Sequence, residues 1–124
     1  MNENRVHVRF KQYSPTLLYY KEAIYTTIDE LDIFFVYVDN YFADQAGVLI
    51  VDLSETKLPE KDVRNHLRTE FPKHAENIKE LCLILSISKY LATFAQFIFK
   101  RSPFHITHVS STEEAIERYK GELE

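Results

Sequence analysis

The chain is poor in the residues that build the commonest reactive sites. It has 124 residues but only two glycines, Gly47 and Gly121, and no tryptophan. A glycine-rich phosphate loop, GxxxxGK[ST] or GxGxxG, is therefore absent, since the backbone has nowhere to curl closely round a phosphate. The nucleophile elbow GxSxG is missing too. Cys82 is the single cysteine, so no intrachain disulfide forms. A lone cysteine inside an apolar run reads as inert core, and with the missing signal peptide it fits a reducing cytoplasmic setting. No apolar run approaches the ~18 residues that a membrane-spanning helix needs, so no membrane insertion is expected. The net charge of −4 leaves no basic footprint for nucleic acid.

What is present is an ordinary globular balance, 45% apolar and 27% charged, with a heavy aromatic load of nine Phe and eight Tyr. Such a length fits one domain with a proper core. Two runs, 48–53 and 81–87, are rich in Val, Ile and Leu, and each is followed by a helical pattern. That is the signature of strands buried on both faces in βαβ units. Leu49, Val51, Leu83 and Leu85 are expected in the middle of the sheet.

Taken in order, residues 5–10 (RVHVRF) alternate and predict a half-buried first strand, antiparallel at the sheet edge. Tyr13-Ser14-Pro15 is a turn signal, and 16–21 (TLLYYK) predicts the second strand of a hairpin. Thr27-Ile28-Asp29-Glu30 has capping-box spacing, with Thr27 accepting from the Glu30 amide and the Glu30 side chain reaching back. The helix that follows carries Ile28, Leu31, Phe35, Val38 and Phe42 on one stripe. Ile33, Tyr37 and Tyr41 form a second stripe, more than one sheet needs, and predict a homodimer interface; the alternative is that the N-terminal strands or the 42–47 loop fold over it within one chain. Asp29, Asp32 and Asp39 fill the polar arc. Pro59 suits the first turn of the next helix, and Pro72 predicts a break after Phe71. His74 falls on an apolar face and is expected to be a satisfied, partly buried histidine. A helix over 89–101, a fifth strand over 104–109 and a capping box at Ser111-Thr112-Glu113-Glu114 complete the order ββαβαβαβα. The expected fold is α/β: a mixed, mostly parallel five-stranded sheet with helices on both faces, in one domain.

The chemistry-bearing candidates are few. Asp52 ends the third strand, where open α/β sheets bind ligands. A phosphoacceptor reading needs further acids for magnesium and a lysine after the last strand, and RVHVRF and FHITHVSS supply neither. Ser54 and Thr56 read as turn residues and Ser88 as a helix cap, all at strand ends. His105 and His108 point to opposite faces of a strand, so no metal site is expected.

The order ββαβαβαβα, with VLIVDLSE at the third strand, YLATFAQFIFK after the fourth and STEEAIERY after the fifth, resembles the STAS superfamily, and within it the SpoIIAA-like branch. The resemblance implies a non-enzymatic regulatory or protein-interaction module without a cofactor. Anti-sigma antagonists of that group carry a phosphorylatable serine in a D-[ST]-S-G-type motif. Here the segment reads DLSETKLPEKD, where Asp52 keeps the acid and Glu55 and Thr56 replace the Ser-Gly pair, so no phosphosite carries over. The alternative is a carrier or sensor of a small apolar or lipid-like ligand, lined by Tyr90, Phe94 and Phe97.

Overall fold

The computed structural model describes residues 2–74, 76–85 and 105–123, together with Thr93 and Gln96. Helix α1 (Asn2–His7) leads into strand β1 (Phe10–Ser14) and, across Pro15 and Thr16, strand β2 (Leu17–Lys21). Helix α2 (Ile28–Tyr41), strand β3 (Gly47–Asp52), helix α3 (Lys61–Glu70) and a 3-10 turn (Phe71–His74) follow. Strand β4 (Ile78–Ile84), strand β5 (His105–Val109), helix α4 (Thr112–Arg118) and a last 3-10 turn (Lys120–Leu123) end the chain. Thr93 and Gln96, between β4 and β5, are helical.

The sheet order is β1-β2-β3-β4-β5. β1 pairs antiparallel with β2, and every other pair is parallel. Crossovers that step one strand at a time with one hand place their helices on one face. Accordingly Leu18, Tyr20, Leu49, Val51, Leu81 and Leu83 pack with α1, α2 and α3 in one core. Leu17, Val48, Ile50, Cys82 and Ile84 point the other way and meet Ala115 and Tyr119 of the C-terminal segment. All six residues of β3 are buried, as a central strand covered on both faces requires.

The start of the chain departs from its pattern. Residues 5–9 are not a strand. Val6 and Phe10 are also four apart, a helical spacing, and packing on α2 decides the matter: Val6 is fully buried in the α2 core while Val8 is 79% exposed. The strand begins only at Phe10, whose ring stacks on Tyr37 at 3.7 Å between centroids. β4 also starts three residues earlier than the Leu-rich run and ends at Ile84, so Leu85 lies just beyond it and is only half-buried. Pro72 falls where α3 gives way to the 3-10 turn. His74 Nδ1 donates to Asp39 Oδ2 at 2.8 Å and its ring stacks on Phe35, a satisfied histidine.

Candidate functional site

Asp52 is the last residue of β3 and points to the α4 side of the sheet. It is 6% exposed. The Tyr19 hydroxyl donates to Oδ2 at 2.6 Å and the Ser54 amide donates to Oδ1 at 2.9 Å. Burial works against the charged carboxylate, but the bonds from Ser54 and Tyr19, with Lys21 nearby, outweigh it and hold the group below its usual range. Burial and the bond to Asp52 push the Tyr19 hydroxyl well above its ordinary value. Both carboxylate oxygens are thus engaged within the protein, and Asp52 acts as a clamp on the loop after β3. Ser54 lies exposed in that loop, and the Thr56 amide closes its turn on Leu53 O at 3.1 Å. The Thr56 hydroxyl is buried without a hydrogen-bond partner.

The C-terminal ends of the parallel strands also frame a cleft of two lobes, joined at Tyr25 and Thr27. The first, about 510 Å³, lies between the N-terminal ends of α2 and α3. The second, about 500 Å³, is lined by Arg9, Lys21, Glu22 and Glu30 among others. The cleft exists because the 22–27 loop is tied to the end of β3, by Glu22 N to Asp52 O, and to the 53–60 loop, by Lys57 N to Ile24 O. Glu30 reaches this lobe because its capping box forms only by half. Thr27 Oγ1 accepts from the Glu30 amide at 3.3 Å, but the Glu30 carboxylate turns away to Arg9, with Oε1 3.6 Å from Nη1. The second box behaves similarly: Ser111 Oγ accepts from the Glu114 amide, and Glu114 reaches back to Ser110 rather than to Ser111. Beside Glu30, burial pushes the Glu22 carboxyl up to about 7, with the Ala23 amide and Arg9 opposing and Glu30 adding.

The second stripe of α2 lies under the chain's own N-terminal segment. Tyr37 stacks on Phe10 and accepts from Gln12 Nε2 at 2.7 Å, and the Tyr41 hydroxyl donates to Ser14 O at 2.5 Å. Ile33, Tyr37 and Tyr41 are each partly buried against the core. They still border an open groove of about 630 Å³ with Val36, which is 61% exposed. The adjoining acids are occupied: Asp32 Oδ1 meets His66 Nε2 at 2.7 Å, and Asp39 accepts from Asn77 at 2.9 Å.

Among the sequence candidates, the structure therefore gathers Asp52 at the end of β3 with Ser54 and Thr56 in the loop after it, and Ile33, Tyr37 and Tyr41 on one groove. Ser88, Tyr90, Phe94 and Phe97 lie outside the described residues. Sequence reasoning missed Arg9, Glu22 and Tyr19. Arg9 fell in the alternating pattern of a predicted edge strand, and Glu22 followed the second predicted strand without any motif around it. Nothing local in the sequence marks either as part of a cleft. Cys82 is buried, and burial pushes its thiol up to about 11, away from the reactive range. Among the described residues no group of three or more His, Cys, Asp or Glu is placed to hold a metal ion. No described helix is long and apolar enough to cross a membrane.

These features define a class: an α/β protein of Rossmann-like or STAS-like architecture, with a clamped carboxylate at the end of its central strand. No protein-family model matches the chain, and no curated protein matches it in sequence.

Proposed function

We propose that this chain is a non-enzymatic regulatory or protein-interaction module, STAS-like and of the SpoIIAA-like kind, that works as a homodimer through α2. One observation carries the reading. Val36 stands 61% exposed in the middle of the helix and borders, with Ile33, Tyr37 and Tyr41, a groove of about 630 Å³. A large apolar side chain left in the open beside three half-covered ones is the profile of a contact surface. Tyrosine suits such a surface, because its ring buries well while its hydroxyl stays wet. A two-fold axis across the groove would cover Val36 in both copies with the same patch. With both oxygens engaged within the fold, Asp52 serves as a clamp on the loop after β3 rather than as a free general base or nucleophile.

Val36→Glu is the variant that tests this, since it charges the exposed position and leaves the Phe10–Tyr37 and Tyr41–Ser14 contacts in place. Sedimentation equilibrium should return a dimer for the wild type at tens of micromolar, dissociating toward low micromolar, and a monomer for Val36→Glu. A monomeric wild type, or a variant that stays dimeric, removes α2 as the interface.

A further inference from the structure

The second lobe of the cleft holds two polar atoms of opposite sense that the protein itself leaves unsatisfied. Arg9 Nη1 and Glu30 Oε2 are both buried and have no hydrogen-bond partner. Glu30 is 9% exposed, so its carboxylate has little recourse to bulk water. The two side chains approach only to 3.6 Å, between Nη1 and Oε1, which is too long for a hydrogen bond. A buried unsatisfied donor or acceptor costs about 1–3 kcal/mol, and more when charged. Two such atoms in one lobe are therefore a reason to look for what completes them.

The charge pattern narrows the chemistry. Arg9 shares the lobe with the carboxyl groups of Glu22 and Glu30 and interacts with the Tyr20 hydroxyl, while the Lys21 ammonium is paired with Glu55. A simple anion would meet both acids, and a simple cation would meet the guanidinium. A molecule carrying an acceptor and a donor on neighbouring atoms meets neither difficulty: its negative end faces Arg9 Nη1 and its positive end faces Glu30 Oε2. The lobe measures about 500 Å³, within the roughly 300–1,000 Å³ of small-molecule sites and far above the ~30 Å³ share of a single water. Its wall continues into Ala23, Ile24 and Tyr25, of which Ile24 is 51% and Tyr25 70% exposed.

We propose that this lobe binds a free α-amino acid with an apolar side chain. The ligand carboxylate accepts from Arg9 Nη1, the ligand ammonium donates to Glu30 Oε2, and the side chain lies along Ile24 and Tyr25. Glu22 adds a second carboxyl beside the ammonium. Burial has pushed that group up to about 7, so a nearby ammonium favours its charged form and binding releases a proton near neutral pH. This site is separate from the α2 groove and stands or falls independently of dimerisation.

The test compares L-phenylalanine with its two halves, phenethylamine and phenylpropanoate, by amide chemical-shift titration of the full chain. Phenylalanine should shift the amides of residues 22–30, and each half should bind about tenfold more weakly or worse, since each leaves one of the two buried polar atoms without a hydrogen-bond partner. Glu30→Gln, which retains the Thr27 cap, should weaken phenylalanine and phenethylamine and leave phenylpropanoate unaffected. Arg9→Gln should do the reverse, with Arg9→Lys taking its place if the Gln variant does not fold. No shift at tens of millimolar would mean that water alone fills the gap, which overturns the proposal. Equal binding of phenylalanine and either half, or binding that both Glu30→Gln and Arg9 variants leave intact, would overturn it as well.

Discussion

Replacing Glu22 by Gln should change the pH dependence of stability in a sign opposite to that of most acidic residues. The Glu22 carboxyl has an ordinary value of 4.5 and sits at about 7 in the fold. Burial is the main cause, and Glu30 adds to it, while the Ala23 amide and the Arg9 guanidinium pull the other way. A carboxyl raised in the folded state binds its proton more tightly there than in the unfolded chain. Its contribution is fully present below the unfolded value and is lost as pH rises through the folded value. The interval corresponds to at most about 3 kcal/mol, and partial exposure reduces this to roughly 1–3 kcal/mol. Gln keeps the shape and does not titrate. Urea melts from pH 4 to pH 8 should therefore show Glu22→Gln gaining on the wild type between about pH 4.5 and 7, by about 1–3 kcal/mol in all, and then levelling off. A stability difference that is flat across this range would refute the reasoning. A gain that appears as pH falls would do so too, because it would mean that Arg9 outweighs burial.

Leu83→Ala should cost about 2–5 kcal/mol in denaturant melts, since Leu83 is 1% exposed near the end of β4, within the core. Leu85→Ala, just past the strand and half-buried, should cost clearly less in the same experiment. Gly47→Ala should destabilise by about 1–3 kcal/mol, because a β-carbon there would stand 2.5 Å from Phe42 Cε1 and 2.7 Å from Thr16 O, the second of which is backbone. Tyr19→Phe takes a donor from buried Asp52 and should cost about 1–3 kcal/mol near neutral pH. The wild type's advantage over it should shrink as acid protonates Asp52, which thermal melts at descending pH would read.

The parallel sheet was legible because its signal is local and redundant. Val48 to Val51 are apolar on both faces, and Leu81 to Ile84 repeat the pattern, so no other assignment buries them. The caps at Thr27 and Ser111 were legible for the same reason, a hydroxyl three residues before the amide it accepts from. The first strand was not. RVHVRF satisfies a period of two through three residues only, and tertiary packing of Val6 on α2 overrides it. The cleft was less legible still. Its residues come from the turn before β1, the end of β2 and the first turn of α2, and only the folded chain brings Arg9 to Glu30. The capping-box pattern even pointed the Glu30 side chain elsewhere, because the rule knows nothing of a guanidinium across the hairpin. The second stripe of α2 was read as surplus to one sheet, and part of it is used by Phe10, Gln12 and Ser14 from the same chain.

The interface on α2 is the centre of the functional reading, and dilution followed by amide chemical shifts tests it residue by residue. Between millimolar and low micromolar wild-type protein, the account predicts shifts concentrated at Ile33, Val36, Tyr37, Asn40 and Tyr41, and at His7 and Gln12 across the groove. Shifts that do not change on dilution, or that gather on another face of the molecule, would contradict it.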